Sequence, residues 1–224
     1  MNFILELHIF LYMSKKPEET MHHISFFSIS LCCCLFFLII PHENFSPITA
    51  ISVDIINQTC RRCADESHVF SYDLCTTSLQ AVPVSHVANL QGLALIAMEL
   101  ALNNASNTLQ IIKNYLLMSN ESLDPFVVVC LKDCLQLYSD GITTLEDAEG
   151  AFLGEHYDNA NICLSAVTEA SSTCEEGFKE KEGEVLPSPL TNENYNLFQL
   201  CDIALCIGHL LTLGSTFLMR SSAT

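Results

Sequence analysis

The sequence predicts an all-α protein, an up-down-up-down four-helix bundle with an N-terminal helical hairpin and disulfide staples. Four long stretches place apolar residues at steps of three and four, the spacing of one buried helix face. No stretch shows the alternation of a β-strand, Trp is absent, and Gly and Pro number only 8 and 7. Twelve cysteines in 224 residues are enough for a disulfide framework, if the chain folds in an oxidising compartment.

An uninterrupted apolar run marks the N-terminal region. Residues 24–40 carry no charge, two lysines precede them, and Pro41 and the small residue Ala50 follow. This order is typical of a secretory signal peptide, and the run is short for a membrane span of roughly 20 residues. We expect residues 1–50 to be an upstream extension, ending before Met21, plus a signal peptide. A retained signal anchor is the alternative; after signal removal, no membrane association is expected.

The charge of the chain restricts its partners. The formal net charge is −17, whereas proteins that bind phosphate backbones need clustered Lys and Arg. We therefore expect no nucleic acid partner, and a protein partner would be basic or acid-tolerant.

The first elements of the mature chain form a predicted helical hairpin. A short helix is expected over Val53–Arg61 and a second over Tyr72–Ala81, with a polar connection between them. Such a hairpin is too small to be stable alone. A bridge between Cys60 and Cys75 would add about 3 kcal/mol in the chain-entropy model.

Four longer helices follow and make up the predicted bundle. Ser85 is the expected cap of the first of them, after Pro83, and Asp124-Pro125 opens the second with a cap and a proline in the favoured order. Short links favour antiparallel neighbours and hence the up-down-up-down arrangement. The expected helices are 86–118, 125–152, 157–174 and a last helix that begins at Thr191 or Glu193 and runs to Leu211, with 175–189 as a loop. The domain would span 51–213, with 214–224 as a flexible tail.

The remaining cysteines leave alternatives open. Two antiparallel helices would bring Cys134 near Cys174, and Cys130 would either pack in the core or bridge to Cys163. Cys63 is expected to be a free thiol or an alternative disulfide partner. Cys201 and Cys206 are expected to be core residues of the last helix.

The sequence carries no recognisable catalytic or metal motif. Gly-x-Ser-x-Gly, His-Glu-x-x-His and phosphate-binding glycine loops are absent. Cys60-Arg-Arg-Cys63 has zinc or redox spacing, but a second pair with matching spacing is missing. We therefore expect no enzymatic activity, no cofactor and no metal.

A set of short motifs resembles those of the plant invertase inhibitor and pectin methylesterase inhibitor family. The likeness covers about residues 52–213 and is strongest to a branch of provisionally named invertase inhibitors that includes pollen allergens. The motifs are Gln58-Thr59-Cys60, Tyr72-Asp73-Leu74-Cys75, Ser85-His86, Leu90-Gln91-Gly92-Leu93, Asp133-Cys134 through Asp140, Tyr157-Asp158-Asn159-Ala160, and Thr173-Cys174 through Glu180.

The resemblance implies a secreted, mostly monomeric inhibitor rather than an enzyme. It implies a four-helix bundle with a hairpin, disulfides Cys60–Cys75 and Cys134–Cys174, and residence in the cell wall, the wider apoplast or the vacuole. Its partner would be a plant invertase or pectin methylesterase.

One departure from the family pattern concerns the expected binding site. A Pro-Lys-Phe element of better-known invertase inhibitors is replaced here by Gly154-Glu155-His156-Tyr157, which motivates a non-inhibitory, allergen-like structural protein as the alternative function. We expect Glu155, His156, Tyr157 and Asp158 to be the partner-binding residues. His156 is either a pH-responsive contact or an ordinary exposed turn residue.

Three Asn-x-Ser/Thr patterns are candidate acceptors for N-glycosylation. They begin at Asn57, Asn104 and Asn120. Asn57 and Asn120 are the expected sites because both are predicted to lie near the ends of elements, whereas Asn104 falls inside a helix.

Overall fold

The computed structural model describes residues 49–118, 123–180 and 187–221, with side chains described between residues 55 and 213. Within those ranges every regular element is helical. The expectations for the upstream extension, the signal peptide and Asn120 lie outside the described residues, as does the end of the expected tail, residues 222–224.

Two helices of 18 and 9 residues form the N-terminal hairpin. Helix α1 spans Thr49–Glu66 and helix α2 spans Tyr72–Gln80. Ser71 caps α2, because its hydroxyl accepts a hydrogen bond from the backbone N–H of Leu74 at 3.2 Å. Helix α1 is longer at both ends than the predicted Val53–Arg61.

Four long helices form the bundle. They are α3 (Leu90–Met118), α4 (Pro125–Leu153), α5 (Tyr157–Gly177) and α6 (Thr191–Ser221). Each packs against the next, and α6 packs back against α3, which closes the ring. The predicted up-down-up-down bundle with a hairpin is confirmed. The hairpin lies against α3 and α6, so α4 and α5 form the uncovered side.

The start of α3 differs from the prediction. A 3₁₀-helix occupies Pro83–Val87, and Ala88 adopts an extended backbone (φ −77°, ψ 149°) that stops it. Ser85 is buried in that turn and does not cap α3. Asn89 does so, since its side-chain oxygen accepts from the N–H of Gly92 at 2.8 Å.

The other helix boundaries show how packing extends helices beyond their sequence signals. Asp124 caps α4 as predicted, accepting from the N–H of Phe126 at 2.8 Å. Helix α5 continues to Gly177, where the prediction placed a loop, because the next residue, Phe178, is fully buried and anchors the helix end. Helix α6 continues past the predicted Leu211 to Ser221.

The core runs through the bundle and into the hairpin as one cluster. Leucines at 93, 131, 145 and 164 are almost completely buried on α3, α4 and α5, and each contributes roughly 1.5–3 kcal/mol by leaving water. Helix α6 is apolar and long enough over Thr191–Leu213 to cross a membrane by composition (mean hydropathy 1.5). Half of that window is buried inside the protein, as in the core helix of a bundle.

Candidate functional site

The α4–α5 turn holds the four residues expected to bind a partner. The N–H of Glu155 donates to the carbonyl of Phe152 at 3.0 Å, and the N–H of His156 donates to the carbonyl of Ala151 at 2.9 Å. Glu155 has a φ of 60°, the left-handed region that non-glycine residues seldom adopt. These bonds fix the backbone of the turn against the end of α4.

Tyr157 connects the turn to α4 and α3. Its ring lies 5.0 Å from that of the fully buried Phe152, at an interplanar angle of 64°, the edge-to-face geometry that aromatic pairs favour. Its hydroxyl accepts from the side-chain amide of Gln91 on α3 at 3.4 Å. Burial, and secondarily the charge of Glu155, raise the pKa of Tyr157, so its phenol stays protonated at acidic and neutral pH.

The other three residues are exposed at this end of the bundle. Glu155, His156 and Asp158 all face solvent, and the imidazole of His156 makes no capping bond to α5. Asp158 lies in the first turn of α5, where a carboxylate interacts favourably with the helix dipole. The turn therefore presents two carboxylates and an imidazole on a fixed backbone, groups able to bind cationic and hydrogen-bonding side chains of another protein.

Three disulfides join the described helices. Cys60 is bonded to Cys75 within the hairpin (Cα–Cα 5.8 Å). Cys134 on α4 is bonded to Cys174 on α5 (Cα–Cα 5.0 Å). The third bond, Cys63–Cys206 (Cα–Cα 5.9 Å), ties the hairpin to α6 across 143 residues of sequence.

The third disulfide corrects the prediction for Cys206, which was expected to be only a core residue. The sequence gives a weak signal for it, because Cys63 lies on the same face of α1 as the buried Ile56 and Cys60, at steps of four and three. The pattern indicates that this face of α1 packs against another helix, but no neighbouring residue in the sequence identifies Cys206 as the partner of Cys63.

The alternative bridge Cys130–Cys163 is wrong. The thiol of Cys130 donates to the carbonyl of Gly177 at 3.5 Å. The rise per residue of a helix places Cys163 about 20 Å from Gly177 along α5, so Cys163 is too far from Cys130 to form a bridge. Cys130 and Cys201 are buried thiols, and Cys163 is a half-buried thiol. Core packing is therefore the role of Cys130 and Cys201.

Gln199 is a structural residue that sequence reasoning missed. It is 1% exposed on α6, and its amide donates to the carbonyl of Val69 at 2.7 Å. Its oxygen accepts from the N–H of Ser71, also at 2.7 Å. A single side chain thus satisfies two backbone groups of the α1–α2 connection, next to the Ser71 cap.

The glycosylation candidates fall in different environments. Asn57 is half-buried in the interior of α1, not near an element end as expected. Its side-chain oxygen accepts from Gln80 at 3.2 Å. Asn104 lies within α3, with its side-chain oxygen buried and without a partner among the described residues.

Comparison with known proteins gives these features a family context. A model of the family described as plant invertase/pectin methylesterase inhibitor matches residues 54–207. A protein from Platanus acerifolia, named provisionally as an invertase inhibitor, is 39% identical over 184 residues, which cover 82% of this chain and 97% of its own length. A pectinesterase inhibitor from Actinidia deliciosa is 28% identical over 189 residues, covering 84% of this chain and 96% of its own.

A solved structure supports the fold independently. The crystal structure of a mutant form of a pectin methylesterase inhibitor from Arabidopsis superposes with a TM-score of 0.53 at 24% identity. The match covers 62% of this chain and 88% of that one. It agrees with the helical bundle described above.

Proposed function

Because the chain belongs to the plant invertase/pectin methylesterase inhibitor family, we propose that it binds a plant invertase or a pectin methylesterase and blocks access to the substrate cleft. It is an inhibitor protein and not itself an enzyme. The observation that carries the proposal is the family match over residues 54–207, together with relatives aligned over nearly their whole length.

The surface proposed to enter the cleft is the α4–α5 turn, Glu155 to Asp158. Its backbone is fixed by hydrogen bonds to α4, and Tyr157 is held by Phe152 and Gln91. An exposed turn whose backbone is already fixed loses little conformational entropy on binding. The exposed carboxylates of Glu155 and Asp158 would pair with basic side chains at the rim of the cleft.

The non-inhibitory alternative is less well supported. It rests on the absence of Pro-Lys-Phe, whereas the aromatic at Tyr157 remains and is built into the turn. The relatives reported above carry names of inhibitors.

The direct experiment is an inhibition titration at mildly acidic pH. The purified oxidised domain would be added to an acid invertase and, separately, to a pectin methylesterase, with saturable inhibition of one enzyme expected. If the domain inhibits neither enzyme, although it is helical and its disulfides are intact, the result would favour the non-inhibitory alternative.

The binding surface is tested by a charge-matched pair of variants. Glu155→Ala/Asp158→Ala should weaken inhibition by about tenfold or more, equivalent to 1.4 kcal/mol. Asp133→Ala/Glu169→Ala removes the same charge from exposed sites of α4 and α5 away from the turn and should leave inhibition nearly unchanged. Equal effects of the two variants would show that net charge, and not the turn, governs binding.

Secretion to the cell wall or the vacuole is the proposed localisation. Three disulfides support an oxidising compartment. N-terminal sequencing of protein recovered from plant tissue should find a mature chain beginning near Ile51. Recovery of intact residues 24–40 in a membrane fraction would instead support the signal anchor.

A further inference from the structure

The pattern Asn57-Gln58-Thr59 is a modification motif that enzyme inhibition does not explain. Asn57 lies on α1 and its oxygen is held by Gln80 on α2. Among the described residues, the other head-group atom, Nδ2, donates to no acceptor. Nδ2 is the atom that carries an N-linked glycan, and an Asn modified there keeps its oxygen as an acceptor. The folded hairpin can therefore retain the contact with Gln80 when Asn57 is glycosylated.

Asn104 differs from Asn57 in the surroundings of its side-chain oxygen, although Ser106, the hydroxyl residue of its motif, is exposed. Its side-chain oxygen is buried without a partner, on a helix packed between α4 and α6. A glycan on the adjacent nitrogen would have to emerge from a head group whose oxygen is enclosed by the bundle. The two described motifs therefore differ in what the fold can accommodate.

Thr59 limits when Asn57 can be modified. The motif needs its hydroxyl residue to be accessible, but Thr59 is only 6% exposed in the fold. The next residue, Cys60, is fully buried and bonded to Cys75. Once α1 and α2 are closed by this disulfide, the motif is helical and half hidden.

We propose that Asn57 carries an N-linked glycan that is attached before the hairpin folds, and that closure of Cys60–Cys75 ends the period in which attachment is possible. The donor is a lipid pyrophosphate-linked oligosaccharide of the secretory pathway. Nδ2 of Asn57 forms a bond to the first sugar carbon, the bond from that carbon to the pyrophosphate breaks, the lipid pyrophosphate leaves, and the proton that Nδ2 loses passes to solvent. Competition with disulfide closure predicts partial occupancy.

The first test uses the full chain expressed in plant cells, with glycan occupancy measured residue by residue by mass spectrometry. Enzymatic removal of the glycan should leave Asp in place of Asn57 in a fraction of the molecules. Asn57→Gln should lose that glycan and its mobility shift, whereas Asn104→Gln should lose none. A secreted protein with three disulfides and unmodified Asn57 would overturn the proposal, and this readout does not depend on inhibition of any enzyme.

The second test separates the timing from the site. Cys75→Ser prevents hairpin closure without altering the motif, and occupancy at Asn57 should rise toward completion. Cys174→Ser is the matched control, because it breaks the disulfide between α4 and α5, remote from the hairpin, and should leave occupancy unchanged. Equal occupancy in Cys75→Ser and the parent chain, or complete occupancy in the parent, would overturn the competition.

Discussion

The hairpin and the bundle of this protein are stabilised in different ways. The bundle buries large apolar side chains on all four helices and contains one disulfide, Cys134–Cys174. The hairpin has only two helices, and one disulfide closes it while another bonds it to α6. Gln199 of α6 also donates a hydrogen bond to the connection between α1 and α2. The difference shows that an element too small to bury its own core is held by covalent bonds and paired polar groups.

The largest expected effect comes from freeing the hairpin. The variant Cys63→Ser/Cys206→Ser should lower the free energy of unfolding by about 2 to 5 kcal/mol, because a disulfide that closes a long loop restricts the unfolded chain strongly. Hydrogen exchange should accelerate in α1 and α2 first, with α4 and α5 remaining protected.

A buried thiol that forms no disulfide provides the control for that variant. Cys130→Ser changes the same atom at a site 6% exposed and should lower stability by less, without selective exchange in the hairpin. Uniform acceleration across all helices in Cys63→Ser/Cys206→Ser would contradict the separation between hairpin and bundle.

A smaller effect is expected at the polar contact. Gln199→Ala should lower the free energy of unfolding by about 1 to 3 kcal/mol, because the carbonyl of Val69 and the N–H of Ser71 lose their partner. Chemical denaturation measures the loss. The exposed Gln136→Ala on α4 should change it little, and equal losses in both variants would remove the special role of Gln199.

Packing within the bundle gives a still smaller change, of opposite sign. Gly141→Ala should raise the free energy of unfolding by about 0.5 to 1 kcal/mol, since Ala favours the helix and its Cβ would lie an ordinary 3.9 Å from Val167. At Gly208 a Cβ would lie 2.7 Å from the side-chain oxygen of Asn161. The side chain of Asn161 would have to move, so Gly208→Ala should be less stable than Gly141→Ala, and thermal melts that rank the two variants the other way would contradict the packing described.

The finest test is a pH profile at the α6 face that carries the hairpin contacts. Asp202 lies one turn from both Gln199 and Cys206, and burial raises its pKa. The folded state therefore holds this proton more tightly than the unfolded state, where Asp titrates near pH 3.9. The stability that this proton contributes is fully present below about pH 3.9 and is lost as the pH rises through the folded-state pKa of Asp202.

Asp202→Asn should remove this dependence. At neutral pH the variant should be more stable than the parent, and the difference should vanish on acidification. Parallel profiles from denaturant titrations at several pH values would contradict the assignment.

Local sequence signals account for the helices but not for how they are joined. The spacing of apolar residues predicts α3 to α6, and Asp124-Pro125 predicts the start of α4, because both depend on neighbours within a few residues. The Cys63–Cys206 bond depends on residues 143 positions apart. Gln199 gives no sign in the sequence that its amide will meet Val69 and Ser71. The residues of the α4–α5 turn are predictable as a break, but its left-handed Glu155 and the support from Gln91 are not.

Three hydrogen-bonded polar side chains, one from each helix, lie where α4, α5 and α6 meet. The hydroxyl of Tyr138 donates to the oxygen of Asn194 at 2.8 Å, and the amide of Asn194 donates to Glu175 at 2.7 Å. Tyr138 and Asn194 are 2% and 3% exposed, so a slide of any one helix by a turn would leave unpaired polar groups in an apolar interior. Apolar contacts between leucines depend little on the axial position of a helix, whereas the hydrogen bonds between Tyr138, Asn194 and Glu175 form in one arrangement. These bonds therefore favour a single axial register of α4, α5 and α6.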